Sequence, residues 1–342
     1  MWFKKQKDTS CSTVMRDKNN ILEIDNLQVY FNTEAGVVKA VDGVTIDIPK
    51  NSTIGIVGES GCGKSVTSLT TMRLLQEPPA KICGGEIRLN RGNEAIDIAK
   101  ASQEKMREIR GKDIAMIFQE PMTSLNPVFT IGEQMQEGIL VHEPGITRKE
   151  LADRVISLLN MVGIARPEGV VKSYPHELSG GMKQRIVIAM ALSLNPSLVI
   201  ADEPTTALDV TIQAQVLELM RDLKQKTKAS IMLITHDLGV VAEMADYVVV
   251  MYAGRVVEQG TVMEIFKDPR HPYTRGLLKS RPSADASASR LFSISGNVPN
   301  PIGLPNYCYF KNRCDTSCSS CEGEYPVLRE VTATHKVSCH VD

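Results

Sequence analysis

Thr53-Ile54-Gly55-Ile56-Val57-Gly58-Glu59-Ser60-Gly61-Cys62-Gly63-Lys64-Ser65 joins a short β-branched run to a glycine-rich turn. The run has the composition of a buried parallel strand, and the turn fills the pattern GxxxxGKS in full. Glycines let successive backbone N–H groups converge on phosphate oxygens. A helix opening at Lys64 and expected to reach about Leu75 aims its positive end at the same anion. On this reading Gly58, Ser60, Gly61, Cys62, Gly63 and Val66 form a cradle for a nucleotide, Lys64 contacts the β- and γ-phosphates, and Ser65 ligates Mg²⁺. A glycine-rich turn that binds nothing is the bland alternative, and the flanking strand and helix weigh against it.

Three more apolar runs end in polar residues. Leu198-Val199-Ile200-Ala201 leads to Asp202-Glu203, a carboxylate pair suited to holding Mg²⁺ through water (Asp202) and polarising an attacking water as general base (Glu203). Ile231-Met232-Leu233-Ile234-Thr235 delivers His236-Asp237, and Ile114 to Ile117 delivers Phe118-Gln119-Glu120. Upstream, Leu27-Gln28-Val29-Tyr30-Phe31 reads as a strand whose alternation lets only one of its two aromatics face a given side. Leu178-Ser179-Gly180-Gly181 precedes a run of helix formers, Met182 to Ser193, that Asn195-Pro196 stops. Ser179 can cap that helix, and the N–H groups of Gly180 and Gly181 make a second anion site.

In this order the segments resemble the ATP-binding cassette family, whose signature is Leu-Ser-Gly-Gly. The resemblance implies an α/β fold: a P-loop NTPase cassette with a RecA-like core, an antiparallel β subdomain and a helical subdomain. It implies that Gln119 senses Mg²⁺ and water, that His236 contacts the γ-phosphate, and that an aromatic stacks on adenine, Phe31 favoured over Tyr30. It also implies a head-to-tail pair of cassettes, in which Ser179, Gly180 and Gly181 of one close over the ATP held by the other, with Pro204-Thr205-Thr206-Ala207-Leu208-Asp209 facing the partner. The sequence carries one motif set, so the second cassette is another ATPase chain, identical or related; the family members it most resembles use two different ones.

Phe118-Gln119-Glu120-Pro121-Met122-Thr123-Ser124-Leu125-Asn126-Pro127, Asp268-Pro269-Arg270-His271-Pro272-Tyr273-Thr274 and Cys308-Tyr309-Phe310-Lys311-Asn312-Arg313-Cys314 further resemble the oligopeptide, dipeptide and nickel importer ATPases. That resemblance implies an ATPase driving import through two transmembrane permease subunits, with an extracytoplasmic substrate-binding protein as an indirect partner. Peptide cargo is the default and nickel the alternative. A soluble cassette protein acting on ribosomes or DNA is the rival; such proteins usually carry two cassettes or a long coiled-coil insertion. The helical subdomain is placed at about 126–175, and Leu151, Val155, Leu158, Leu159 and Val162 fall at helical spacing within Arg148 to Val162.

At 342 residues the chain exceeds a usual single domain. The expected division is a polar tail over 1–20, an ATPase domain over 21–267 and a C-terminal extension over 268–342. A net charge of −1 supplies no basic field and argues against nucleic acid as the main partner. No apolar run approaches membrane-spanning length and the N-terminus lacks the apolar centre of a secretory signal, so the chain is placed in the cytosol, and the importer resemblance implies a peripheral subunit at the cytoplasmic face of the inner membrane. Cys11, Cys62 and Cys83 read as ordinary thiols. Cys308, Cys314, Cys318, Cys321 and Cys339 crowd the C-terminus, where a reducing cytosol makes metal ligation a better account than disulfides. Four thiolates suit zinc or an iron–sulfur cubane. The importer resemblance implies a 4Fe-4S cluster on Cys308, Cys314, Cys321 and Cys339. The extra Cys318, with His335 and His340 as nitrogen donors, keeps Zn²⁺ as the alternative.

Overall fold

The computed structural model describes residues 11–119, 124–206, 209–280 and 292–341. Glu120 to Thr123, within the importer-like stretch, and Ala207-Leu208, within the partner-facing stretch, lie outside them. In chain order the strands are β1 (Ser12–Thr13), β2 (Asn20–Thr33), β3 (Gly36–Pro49), β4 (Thr53–Val57), β5 (Ala80–Asn90) and β6 (Ala95–Asp97). There follow β7 (Ile114–Ile117), β8 (Leu198–Asp202), β9 (Ser230–Ile234), β10 (Tyr247–Tyr252), β11 (Arg255–Thr261), β12 (Arg329–Glu330) and β13 (Lys336–Val337). By contact the chain divides into two compact units, one built on Lys100–Met232 with Pro49–Asn51, the other on Thr13–Ile48, Ser52–Ala99 and residues 233–341.

The second of these holds an antiparallel sheet in the order β1-β6-β5-β2-β3, with β2 and β5 in register from Leu22↔Leu89 to Asp25↔Glu86 before bulges near Gln28. Along β2, Leu22, Ile24, Leu27 and Val29 are fully buried. The stretch 1–20 expected as a polar tail is described from Cys11 onward. Met15 is buried, and the Arg16 and Asp17 N–H groups donate to the buried Glu23 carboxylate at 2.9 and 2.8 Å.

Beside it runs the order β12-β13-β11-β10-β4, in which β4 pairs parallel with β10 from Tyr247↔Ile54 to Val250↔Val57. All five residues of β4 are buried, as the apolar run predicts. Its end shares a core with the C-terminal segment: Val57, Val248, Val250, Tyr252, Tyr273, Tyr309 and Phe310 form one cluster. The Phe310 ring lies 5.3 Å from that of Tyr252 and 5.4 Å from that of Tyr273. Burying such a ring contributes roughly 1.5–3 kcal/mol, so the extension is part of the core beneath β4.

The helix after the glycine-rich turn spans Lys64–Thr71, short of the expected Leu75. Arg73 breaks it by taking a left-handed φ of 51°, and its guanidinium donates to the Ala99 carbonyl at 2.6 Å.

The other unit centres on β7 and β8, paired in parallel from Ile114↔Leu198 to Ile117↔Ala201. Helices Ile131–His142 and Arg148–Met161 each open on a capping box, Thr130 with Glu133 and Thr147 with Glu150. The second buries Leu151, Val155, Leu158 and Leu159, the stripe that its spacing predicts. Among the described residues no helix is long and apolar enough to cross a membrane.

Candidate functional site

The glycine-rich turn is shaped by close backbone approach. A Cβ on Gly58 would stand 2.2 Å from the Met251 carbonyl oxygen, and one on Gly63, whose φ is 100°, 2.5 Å from that of Ala40. Gly61 also has a positive φ, of 78°, yet a Cβ there meets nothing within 4 Å. Gly63 is the N-cap of Lys64–Thr71 and offers no side-chain acceptor to the first N–H groups of that helix. Lys64 is 6% exposed, and its ammonium donates to the carbonyls of Gly58 at 2.8 Å and Glu59 at 3.1 Å. The Cys62 sulfur lies 3.7 Å from the same nitrogen, and burial pushes that thiol's pKa up. Ser65 and Val66 sit in the first turn, partly buried; Ser60 lies beside Gly61 in the turn.

In the same unit β9 ends beside β4, the Thr235 N–H donating to the Ile56 carbonyl at 3.2 Å. His236 and Asp237 follow, both exposed. Asp237 caps the helix Leu238–Met244, accepting from Gly239 N–H at 2.7 Å. The two candidate adenine aromatics differ. The Tyr30 hydroxyl donates to Asp42 at 2.6 Å, and Arg255 clamps the same carboxylate at 2.6 Å. Phe31, half-buried, carries no polar group to be drawn into that network.

The Lys100–Met232 unit gathers the acidic pair. Asp202 closes the fully buried β8 and is 4% exposed. Glu203 takes a left-handed φ of 48°, a conformation that costs a non-glycine residue about 1–2 kcal/mol. Its carboxylate accepts from Gln119 Nε2 at 3.1 Å and from the Thr206 hydroxyl at 2.9 Å. Residues held in such sparsely populated conformations cluster at active sites, ligand clamps and switch regions. Carboxylate and hydroxyl oxygens, as at Asp202 and Ser65, are the donors a hard cation such as Mg²⁺ takes.

The signature helix runs Gly180–Ala191, opening within Leu178-Ser179-Gly180-Gly181 as expected. Ser179 is its N-cap, its Oγ accepting from Met182 N–H at 3.3 Å. Gly180 is exposed and Gly181 half-buried. Deeper in the helix, Gln184 is fully buried and donates to the Pro204 carbonyl at 2.6 Å. That bond ties the signature helix to the segment after Asp202-Glu203.

At the C-terminus Cys308, Cys321 and Cys339 are buried, Cys314 is half-buried and Cys318 exposed. Burial, and then the charges of Cys321, Cys339 and Cys314, push the Cys308 thiol up to about 11. The four thiols therefore lie within electrostatic reach of one another. Sulfur is the donor that zinc or an iron–sulfur cluster requires, yet among the described residues no three His, Cys, Asp or Glu side chains are gathered to ligating positions. The closest sulfurs are Cys318 and Cys321, 3.7 Å apart. The two histidines are engaged elsewhere: His335 Nε2 with Glu258 at 2.8 Å and His340 Nε2 with the Glu324 carbonyl at 3.0 Å.

Sequence reasoning passed over three residues at the glycine-rich turn. Glu59 occupies a variable position of the pattern, and it is held by Arg313 and Tyr273, each inside a stretch quoted only for its resemblance. An acid within an anion-binding turn, with an arginine in a distant motif of the same chain, was the available signal.

Residues 41–206 match the family described as ABC transporter, and residues 257–321 the one described as oligopeptide/dipeptide transporter, C-terminal region. The oligopeptide transport ATP-binding protein AppD of Bacillus subtilis is 51% identical over 94% of this chain and 96% of its own length. The dipeptide transport ATP-binding protein DppD of the same organism is 49% identical over 93% and 94%. Among solved structures, the ATP-binding cassette MJ0796, dimeric in a post-hydrolysis state with ADP and Pi, superposes with a TM-score of 0.62 at 24% identity, covering 70% of this chain and 98% of that one. CbiO1 of Clostridium perfringens, part of the ABC transporter complex cbiONQ, gives 0.60 at 28% identity, covering 73% and 92%. The chain folds as a P-loop cassette and belongs to the ABC transporter ATP-binding family, among the ATP-binding proteins of oligopeptide and dipeptide transporters.

Proposed function

We propose that this chain is the ATPase subunit of a membrane importer for oligopeptides or dipeptides. The carrying observation is half-identity to peptide-transport ATP-binding proteins over nearly the whole of both chains, together with the match of residues 257–321 to the oligopeptide/dipeptide transporter C-terminal region. Nickel is the second cargo, kept by the importer motifs at Phe118 and Asp268. The partners are a second cassette chain, two permeases and, indirectly, an extracytoplasmic binding protein, which places the subunit at the cytoplasmic face of the membrane. The working division is an ATPase domain over 21–267, with its helical part at about 126–175, and an extension over 268–342.

Gly58 to Ser65 hold the triphosphate, Lys64 neutralises its β- and γ-oxygens, and Phe31 stacks on the base. Ser65, Asp202 and Gln119 would hold Mg²⁺, which offsets charge developing on the transferred phosphoryl group. Glu203 takes a proton from the attacking water, His236 contacts the γ-phosphate, and Ser179, Gly180 and Gly181 serve the nucleotide of the partner cassette. The Gln119 and Thr206 bonds to Glu203 support its role, because they fix the carboxylate's direction. Glu203→Gln is expected to retain ATP binding and lower kcat by about 10²–10⁴-fold; wild-type turnover would remove the base from Glu203. Uptake of labelled peptide, but not nickel, into vesicles carrying the complete transporter would settle the cargo.

The cysteines Cys308, Cys314, Cys321 and Cys339 are read as the holders of a 4Fe-4S cluster, with Zn²⁺ as the alternative, in a structural role. Sulfur donors, burial and electrostatic reach support this; among the described residues no ligand set is gathered. Iron, zinc and acid-labile sulfide assays on anaerobically purified protein decide the matter; substoichiometric metal overturns the reading.

A further inference from the structure

Glu59, in the phosphate-binding turn, is held from two directions by residues that follow β11 in the chain. Arg313 NH1 donates to its Oε2 at 2.8 Å and NH2 to its Oε1 at 3.1 Å, a two-pronged pair in which the arginine side chain is 7% exposed. The remaining guanidinium bonds are also made: Nε to the Ser295 carbonyl at 3.0 Å, NH2 to that of Ile294 at 3.4 Å, and NH1 to the Tyr252 hydroxyl at 3.3 Å. A planar fork so occupied has one orientation, which a flexible ammonium would not. The backbone of Glu59 is fixed as well, its N–H donating to the Tyr273 hydroxyl at 2.8 Å. Tyr273 is fully buried, its ring 4.7 Å from Tyr252. The Glu59 carbonyl accepts from Lys64, so a shift at Glu59 reaches the lysine directly.

The charges matter as much as the geometry. A carboxylate inside a loop that collects phosphate oxygens repels the ligand unless it is neutralised. Arg313 supplies that neutralisation from the cysteine-rich segment, next to Cys314 and anchored by Phe310 in the core under β4.

We propose that Arg313 is a positioning residue for the phosphate-binding loop: by clamping and neutralising Glu59 it sets the affinity of the loop for a nucleoside triphosphate, and so makes that affinity depend on the order of the C-terminal cysteine-rich segment. This rests on the ATP reading above and extends it to a residue outside the cassette motifs.

The test is equilibrium binding of Mg-ATP to the full chain, for wild type, Arg313→Ala, Arg313→Lys, Glu59→Gln, the Arg313→Ala/Glu59→Gln double variant and Lys64→Ala, with thermal midpoints measured alongside. Arg313→Ala is expected to weaken binding about tenfold or more by leaving a carboxylate unpaired beside the triphosphate. Glu59→Gln removes that carboxylate and has the smaller effect; the double variant returns to the Glu59→Gln level, and Arg313→Lys recovers part of the loss. Losses that add in the double variant, or unchanged affinity in Arg313→Ala, would overturn the proposal while leaving the ATP reading intact. A lower midpoint without a change in affinity would also overturn it, by reducing Arg313 to a packing role. Wild-type binding by Lys64→Ala would instead overturn the ATP reading, and the proposal with it.

Discussion

Two helix starts in this molecule are proposed to face an anion, and they use glycine for opposite reasons. At the start of Lys64–Thr71, Gly58 and Gly63 are demanded by the chain itself, since a Cβ on either would drive into a backbone carbonyl, and Gly63 holds a φ of 100°. At the start of Gly180–Ala191 nothing in the described residues demands Gly180: a Cβ there meets no atom within 4 Å and its φ is not positive. A Cβ on Gly181 would stand 3.3 Å from the Ile212 Cγ2 methyl, a side-chain rather than a backbone neighbour. Glycine in a helix costs about 0.5–1 kcal/mol relative to alanine. The first site is shaped by its own fold; the second carries a cost that no neighbour among the described residues requires, which fits the proposed closure by a partner cassette.

The largest expected effect attacks the first half of that contrast. Gly58→Ala forces the Met251 carbonyl and the Cys62 sulfur apart from the new methyl, and should destabilise the chain by roughly 2–5 kcal/mol. Denaturant unfolding measures this, and ATP binding should fail even where the variant remains folded. An unchanged unfolding midpoint would show that the turn is looser than its contacts state.

The contrast also marks what the sequence could reveal. The strands β4, β7, β8 and β9 and the residues at their ends were legible because the relevant signals are local: an apolar run, then glycine, acid or histidine. The signature helix was legible too, because Ser179 is a capping residue just ahead of a run of helix formers. What local pattern could not carry was the closing of the core by the C-terminal segment. Tyr273 and Arg313 meet Glu59 across 214 and 254 residues, and no periodicity encodes such a contact. The bonds around Arg16 are non-local for a related reason: the Arg16 and Asp17 N–H groups serve the buried Glu23 carboxylate and the Arg16 guanidinium pairs with the exposed Asp47.

A second, smaller effect probes the anchoring of the first site by pH. His271 is 1% exposed and caps the helix Pro272–Lys279 by accepting the Tyr273 N–H on Nδ1 at 3.1 Å, a bond that requires the neutral ring. Burial, then the charge of Arg275, lowers its pKa to about 3. The folded value lies below the unfolded one, so the unfolded chain binds the extra proton as pH falls through about 6.5. Stability from this group is therefore full above that pH and is lost below it, by up to about 1.4 kcal/mol per pH unit until the folded value is reached. His271→Asn keeps a capping acceptor without the titration. Its unfolding free energy should fall less steeply than that of wild type between pH 6.5 and 4, and parallel curves would show that His271 charges without cost.

The smallest expected effect on stability is the most informative for the second half of the contrast. Gly180→Ala adds a methyl into open space at the first helical position, where alanine is the better helix former, so the unfolding free energy should stay level or rise by up to about 1 kcal/mol. Binding of ATP to the isolated chain should also be unchanged, because the chain's own phosphate loop is untouched. Loss should appear only when a second cassette is present, as weaker ATP-dependent association and slower hydrolysis. If the variant is destabilised as Gly58→Ala is, the glycine answers to its own fold after all and the contrast fails. If association and turnover stay at wild-type levels, the surface at Gly180 is not where a partner closes, and the uncapped cost of glycine there must be explained by something other than a nucleotide shared between two chains.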